Sequence, residues 1–171
     1  MQLKKLIESR YSVRAYSSQL VEKEKIEYIL ECARLAPSAC NFQPWKFYVI
    51  TNPETKEKVQ VSYPREWFKE APVYIVVCKD TSVSWKRKED NKDFADVDAA
   101  IAAEHICLAA ADAGLGTCWI CNYNPSALND ALKLSSDLEP IAIFSLGYID
   151  REKSAYTEKK RRPLNEITEW I

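Results

Sequence analysis

The sequence predicts one layered α+β domain. Three observations carry that expectation. Helix-like stretches open the chain. Four short strand-like runs follow, one of them the unbroken apolar run VYIVVC at 73–78. A long Ala-rich stretch, 96–113, lies among them, with few clean strand–helix–strand units. The 171 residues suit a single domain with a sizeable core, and nothing in 1–171 reads as a linker.

Taken in order, residues 2–9 put Leu3, Leu6 and Ile7 on one helical face. The polar segment YSVRAYSSQ ends that pattern. A second helix runs from about Glu22 to Leu35, with Ile26, Ile29, Leu30 and Ala33 as its apolar stripe and Ser17 or Ser18 as caps. It stops at Ala36, because Pro37 disfavours helical geometry in the residue before it. After the loop PSACNFQPW, Lys46–Thr51 reads as a strand ended by Asn52-Pro53, and 54–61 as a short helix. Residues 79–95 are charged and irregular. The stretch 96–113 is a helix buried on most sides, with Gly114 as its C-cap. Thr117–Cys121 and Ile141–Leu146 read as strands, and Pro125 opens a helix between them. The final EKKRRPLNEITEWI is basic and then amphipathic.

Composition narrows the function. Lys and Arg total 24 against 25 Asp and Glu, which argues against a nucleic-acid or membrane footprint. The charged N-terminus has no apolar core of a signal peptide, so the expected location is the cytoplasm. Only three glycines are present, Gly114, Gly116 and Gly147, too few for a Rossmann or Walker phosphate loop. Any nucleotide must be held by side chains. The one histidine, His105, rules out a multi-histidine metal site, and we read it as a core residue with a satisfied partner.

Of six cysteines, Cys118 and Cys121 form a Cys-x-x-Cys pair. A thioredoxin-type pair needs its first thiol at a helix N-terminus. Thr117, Trp119 and Ile120 instead favour a strand, where residues three apart face opposite ways. No second pair supports zinc. Two packed or partly exposed thiols are the plainer account. Cationic side chains are more suggestive. Arg10 and Arg14 flank Ser12 near one end of the chain, and Lys159, Lys160, Arg161 and Arg162 lie near the other. Several cations from different segments can hold a phosphate without glycines. Solvated surface charge is the alternative.

The segments RYSVRAY at 10–16, APSACNFQPW at 36–45, AGLGTCWI at 113–120, LGY at 146–148 and KKRRPL at 159–164 resemble, in order and spacing, the FMN-dependent nitroreductases. The resemblance implies a central, mostly antiparallel sheet flanked by helices. It also implies an intertwined homodimer with two tightly bound FMN molecules at the subunit interface. Arg10, Tyr11, Ser12 and Arg14 would belong to the N-terminal FMN motif. Lys160 and Arg162, with Arg161 as a register alternative, would bind the phosphate. Pro37, Ser38, Ala39 and Asn41 would form the loop laid by the second subunit against the isoalloxazine, fixed by Gln43 and Trp45. Trp119, Ile120 and Cys121 would run along the flavin, and residues 159–171 would form an inter-subunit arm.

The implied activity is NAD(P)H oxidation by ping-pong hydride transfer, with NAD(P)H as a transient co-substrate. The acceptor would be a small molecule such as a nitroaromatic or a quinone. No side chain presents itself as a catalytic acid or base, and no metal is implied. Rival readings are a non-catalytic FMN-binding or storage protein, a dehalogenase or flavin-modifying relative, and a phosphate-ligand domain without flavin. The chain departs from the family in its short 62–71 and 80–95 segments, where Trp67, Phe68, Trp85 and Phe94 are candidates for a pocket mouth or for ordinary partial burial.

Overall fold

The computed structural model describes residues 2–156 and 158–171. Its elements are α1 (Leu3–Ser9), α2 (Lys23–Arg34), β1 (Trp45–Ile50), α3 (Pro53–Ser62), α4 (Glu66–Lys69), β2 (Val73–Asp80), α5 (Ala95–Asp112), β3 (Gly116–Ile120), α6 (Pro125–Leu132) and β4 (Leu138–Gly147). The four strands form one antiparallel sheet in the order β1-β2-β4-β3. The expected α+β architecture is therefore present.

The apolar run of β2 explains the layering. Val73, Ile75 and Val77 join Ala142, Phe144 and Leu146 of β4 under α2 and α5. Tyr74, Val76 and Cys78 join Cys118, Ile120 and Ile143 in a second core that includes Val59, Phe68 and Leu128 from α3, α4 and α6. Both faces of the sheet are thus covered, so a central strand needs no polar side.

Local chemistry sets the ends. Asn52 and Asn124 cap α3 and α6 by accepting from the amides of Thr55 and Ala127, each at 3.1 Å, with Pro53 and Pro125 opening the helices. After α5 the chain turns through Gly114, whose φ of 76° favours glycine. One expectation needs correction. Glu22, without a side-chain cap, precedes α2, and Ser17 and Ser18 lie too far upstream. Ser17 instead donates its amide to Tyr148 O, because the 12–17 segment is tied to the chain after β4. As expected, α5 is covered on most sides, but one stripe is open: Val97 is 48% exposed, and Ala100, Ile101 and Leu108 line an open apolar face. Alanine-rich composition gave that helix no visible polar side, so its uncovered stripe was not readable.

Candidate cofactor site

Residues 10–16 run along the outer edge of β3. Ser12 pairs with Thr117 in a parallel bridge, and the Val13 amide donates to Thr117 O at 2.9 Å. Side chains alternate in such an extended segment. Val13 and Ala15 are buried, whereas Arg10 and Ser12 are half-buried and Arg14 is exposed. The crossing is close: a Cβ at Gly116 would lie 2.7 Å from Val13 Cγ2. Tyr16 locks the far end, donating to Val13 O at 2.9 Å and sharing a 2.7 Å hydrogen bond with Ser145 Oγ. Burial raises its phenol pKa well above the ordinary value.

The basic run near the C-terminus returns to this edge. Lys159 Nζ donates to the carbonyls of Ile7 and Glu8, which the end of α1 leaves free. Arg10, Ser12, Arg14, Lys159, Lys160 and Arg161 thereby line one cleft of about 540 Å³. Arg162 is exposed and outside that lining. Tyr11 walls the cleft, its hydroxyl 3.0 Å from Ser154 Oγ and its ring edge-on to Tyr156 at 5.3 Å. On the other side of Tyr11, a second cleft of about 410 Å³ reaches Gly114, Gly116 and Arg151.

No ion pair among the described residues involves Arg10, Arg14, Lys159, Lys160 or Arg161. Desolvation lowers the pKa of Lys159, and the charges of Arg10 and Arg161 lower it further. Six cationic side chains line the cleft against one carboxylate, Glu158, and a bound phosphate would relieve that excess of positive charge. The donor set therefore fits a phosphate-bearing cofactor. Lys153 and Ser154 also line this cleft and were not singled out from sequence, whereas Lys159 was named with the basic run. Only the run KKRR hinted at Lys159, and nothing in spacing could rank its members.

The other expected site residues fall into two groups. Pro37, Ser38, Ala39, Asn41 and Gln43 lie in one loop between α2 and β1, with Pro37, Asn41 and Gln43 exposed. Ser38 Oγ accepts from the Gln43 amide at 2.9 Å, and the Gln43 side chain bonds Asn41 at 3.2 Å. Trp119 faces the core: its ring packs 5.1 Å from Phe144, and its indole N–H donates to Cys121 Sγ at 3.1 Å. Ile120 is buried, 4% exposed, so this segment can offer a ligand its backbone rather than these two side chains.

The cysteines separate as the strand geometry requires. Cys118 is buried and Cys121 is exposed just past β3, and all six thiols are free. Burial raises the Cys118 pKa, an effect that Arg14 and Arg10 partly offset. His105 is half-buried, with Nδ1 3.0 Å from Cys32 O, so Nδ1 carries the proton. Of the aromatic candidates, Phe68 is fully buried and stacks on Tyr74, so it lines no mouth. Trp85 and Phe94 pack on each other in a short excursion closed by a Lys86–Asp93 bridge. Trp67 is half-buried, and the Arg14 guanidinium lies 5.8 Å from its ring centre.

Comparison with known proteins agrees with this geometry. The profile of the Nitroreductase family matches residues 7–63 and 60–148. The chain belongs to the nitroreductase family. Its fold superposes on a nitroreductase family protein from Clostridium difficile 630 with a TM-score of 0.89, at 34% identity over 99% of this chain and 98% of that one. A protein of Archaeoglobus fulgidus with the provisional name NADH dehydrogenase/NAD(P)H nitroreductase is 35% identical, across 92% of this chain and 91% of its own. The FMN reductase (NAD(P)H) of Bacillus subtilis is 29% identical over 85% of this chain and 65% of its own. Family membership thus rests on the region holding Arg10–Arg14 and the α2–β1 loop, while the basic run lies beyond the matched residues.

Proposed function

We propose that the protein is an FMN-dependent NAD(P)H oxidoreductase working as a homodimer in the cytoplasm. The observation that carries this reading is the cleft with an excess of cations, built from both ends of a nitroreductase-family chain. When bound, FMN supplies the redox centre that takes a hydride from NAD(P)H and passes reducing equivalents to a small acceptor such as a nitroaromatic or a quinone.

The chain's own residues bind and orient. Arg10, Lys160 and Arg161 hold the phosphate, with Ser12 as a further donor and Arg162 free to swing in from solvent. Arg14, steadied by Trp67, would set positive charge beside the flavin. Tyr11 separates the two clefts. The Trp119–Cys121 backbone would lie along the flavin, and the Pro37–Gln43 loop of the second subunit would cover it. No acid or base is assigned, so the proton comes from water or substrate.

The dimer has its own support. The apolar face of α5 is one expanse a second copy could bury. β1 is an edge strand, paired only to β2 within the sheet. Leu164, Ile167, Trp170 and Ile171 are exposed in the last segment, Trp170 by 94%, as an arm that reaches over a partner would be.

The test is a visible spectrum of protein reconstituted with FMN, freed of excess and given NADH, then NADPH, without oxygen. Retained flavin absorbance that bleaches on addition supports the proposal. Flavin that stays oxidised with both nucleotides defeats the oxidoreductase reading, and failure to retain flavin defeats the FMN reading.

A further inference from the structure

The loop between α2 and β1 is bent against its own preferences. Cys40, Asn41 and Gln43 have φ of 49°, 57° and 52°, in the left-handed region that non-glycine residues avoid. Asparagine tolerates this conformation, but cysteine and glutamine gain nothing from it. Such a bend persists only where its surroundings over-determine it. Several local bonds help. Asn41 and Phe42 donate their amides to Ser38 O and Ala39 O, and Gln43 donates to Ser38 Oγ. All of these lie inside the loop and would travel with it.

Two bonds tie the loop to the body. Behind it, Asp80 donates its amide to Pro44 O at 2.9 Å. At its front, the Ala39 amide donates to Asp98 Oδ1 at 3.0 Å. Asp98 stands in the first turn of α5, where the helix dipole favours a carboxylate, and is only 3% exposed. Its second oxygen, Oδ2, is buried without a hydrogen-bond partner among the described residues. A buried carboxylate oxygen left unpaired is destabilising. Packing alone does not offset that unpaired oxygen, and the bond to the Ala39 amide is what the carboxylate gains in return.

We propose that Asp98 is a positioning residue. It pins the strained Ser38–Gln43 loop through Ala39, in the shape that meets the cofactor, at the expense of an unpaired buried oxygen. The inference rests on the proposed role of this loop against FMN. Its first test does not need FMN.

In the cofactor-free protein, amide exchange measured residue by residue should show a confined effect. Asp98→Ala accelerates exchange at Ala39, Asn41, Phe42 and Gln43 by roughly tenfold or more, the size of one lost charge-assisted hydrogen bond. Amides of β2 and β4 keep the wild-type rate. Asp98→Asn retains an acceptor for Ala39 and restores slow loop exchange. Ala39→Pro removes the donor while leaving Asp98 in place. Ser38, with ψ of 161°, already has the extended backbone that a following proline prefers. This variant should free Asn41, Phe42 and Gln43 just as Asp98→Ala does.

With FMN present, Asp98→Ala should weaken FMN binding about tenfold and change the visible circular dichroism of the bound flavin, whereas Asp98→Asn stays near wild type. Loop exchange unchanged in both Asp98→Ala and Ala39→Pro would overturn the pin. So would acceleration spread evenly over the molecule, which marks an ordinary structural residue. Should Asp98→Ala fail to fold, Ala39→Pro decides by the same exchange rates. A freed loop with unaltered FMN affinity and dichroism would sink the positioning role. Wild-type protein that retains no FMN would instead count against the cofactor reading and leave the exchange result to judge the pin.

Discussion

Arg10 and Lys160 come from segments some 150 residues apart and line the same cleft. Removing either charge should weaken FMN binding by about 10- to 100-fold, the range for one hydrogen bond between charged partners. The slope of affinity against salt should flatten in both variants. Equilibrium dialysis at two ionic strengths measures this, and wild-type affinity in both would remove the phosphate assignment. A second prediction concerns the thiols. Cys118 and Cys121 lie on either side of the strand's end, one buried and one exposed, so a dithiol couple has no geometry here. The double change Cys118→Ser/Cys121→Ser should keep NAD(P)H oxidation within about threefold, since the redox work belongs to the cofactor. At this scale Arg10, Ser12 and Arg14 were legible through the family resemblance, whereas their extended pairing beside β3 was not, because the polar composition read only as a loop. Asp98 was not legible. Its role depends on a contact with Ala39, 59 positions away, that no spacing announces.

Elements were easier to read than their partners. The apolar stretch of β2, the Asn-Pro start of α3 and the glycine after α5 all carry local chemistry, and each was anticipated within a few residues. The four-residue α4 was missed, because one turn has no period to detect. The start of α2 was read to within one residue, but its cap was misjudged: Glu22 stands at that position and is engaged from afar, with Tyr148 donating to Glu22 Oε2 at 2.7 Å. The open face of α5 yields the third prediction. Placing a charge in its middle, as in Ile101→Glu, should leave the folded chain intact and disrupt the dimer, and FMN retention should fall with it. Light scattering reports the first effect and flavin absorbance the second. An unaltered dimer would show that α5 is not the interface.

At the scale of the whole molecule, the two cores act as stores of protons. Burial pushes the thiols of Cys78 and Cys107 up to about 12 from 9.0. The phenols of Tyr74 and Tyr123 rise from 10.0 to about 12, also through burial. In the unfolded chain these groups ionise at their ordinary values, while the fold keeps them protonated. Their contribution is therefore complete below about pH 9 and is lost as pH rises toward 12. Each thiol contributes a slope of about 1.4 kcal/mol per pH unit inside that window. Urea midpoints should hold steady from neutral pH to pH 8.5 and then fall; a flat profile to pH 11 would contradict the burial of these groups. The two-core layering was legible in outline, since only a strand covered on both faces reads VYIVVC. The expected homodimer came only from the family resemblance, because an exposed tail and a bare helix face carry no local pattern that names a partner. Lys159 adds a mechanical point, since it ties the tail to the last turn of α1 beside Arg10. An anion seated between them is a rivet through both ends of the polypeptide. Withdrawing it should let head and tail come loose together, so a protease would trim both termini of the empty protein before it cut the sheet.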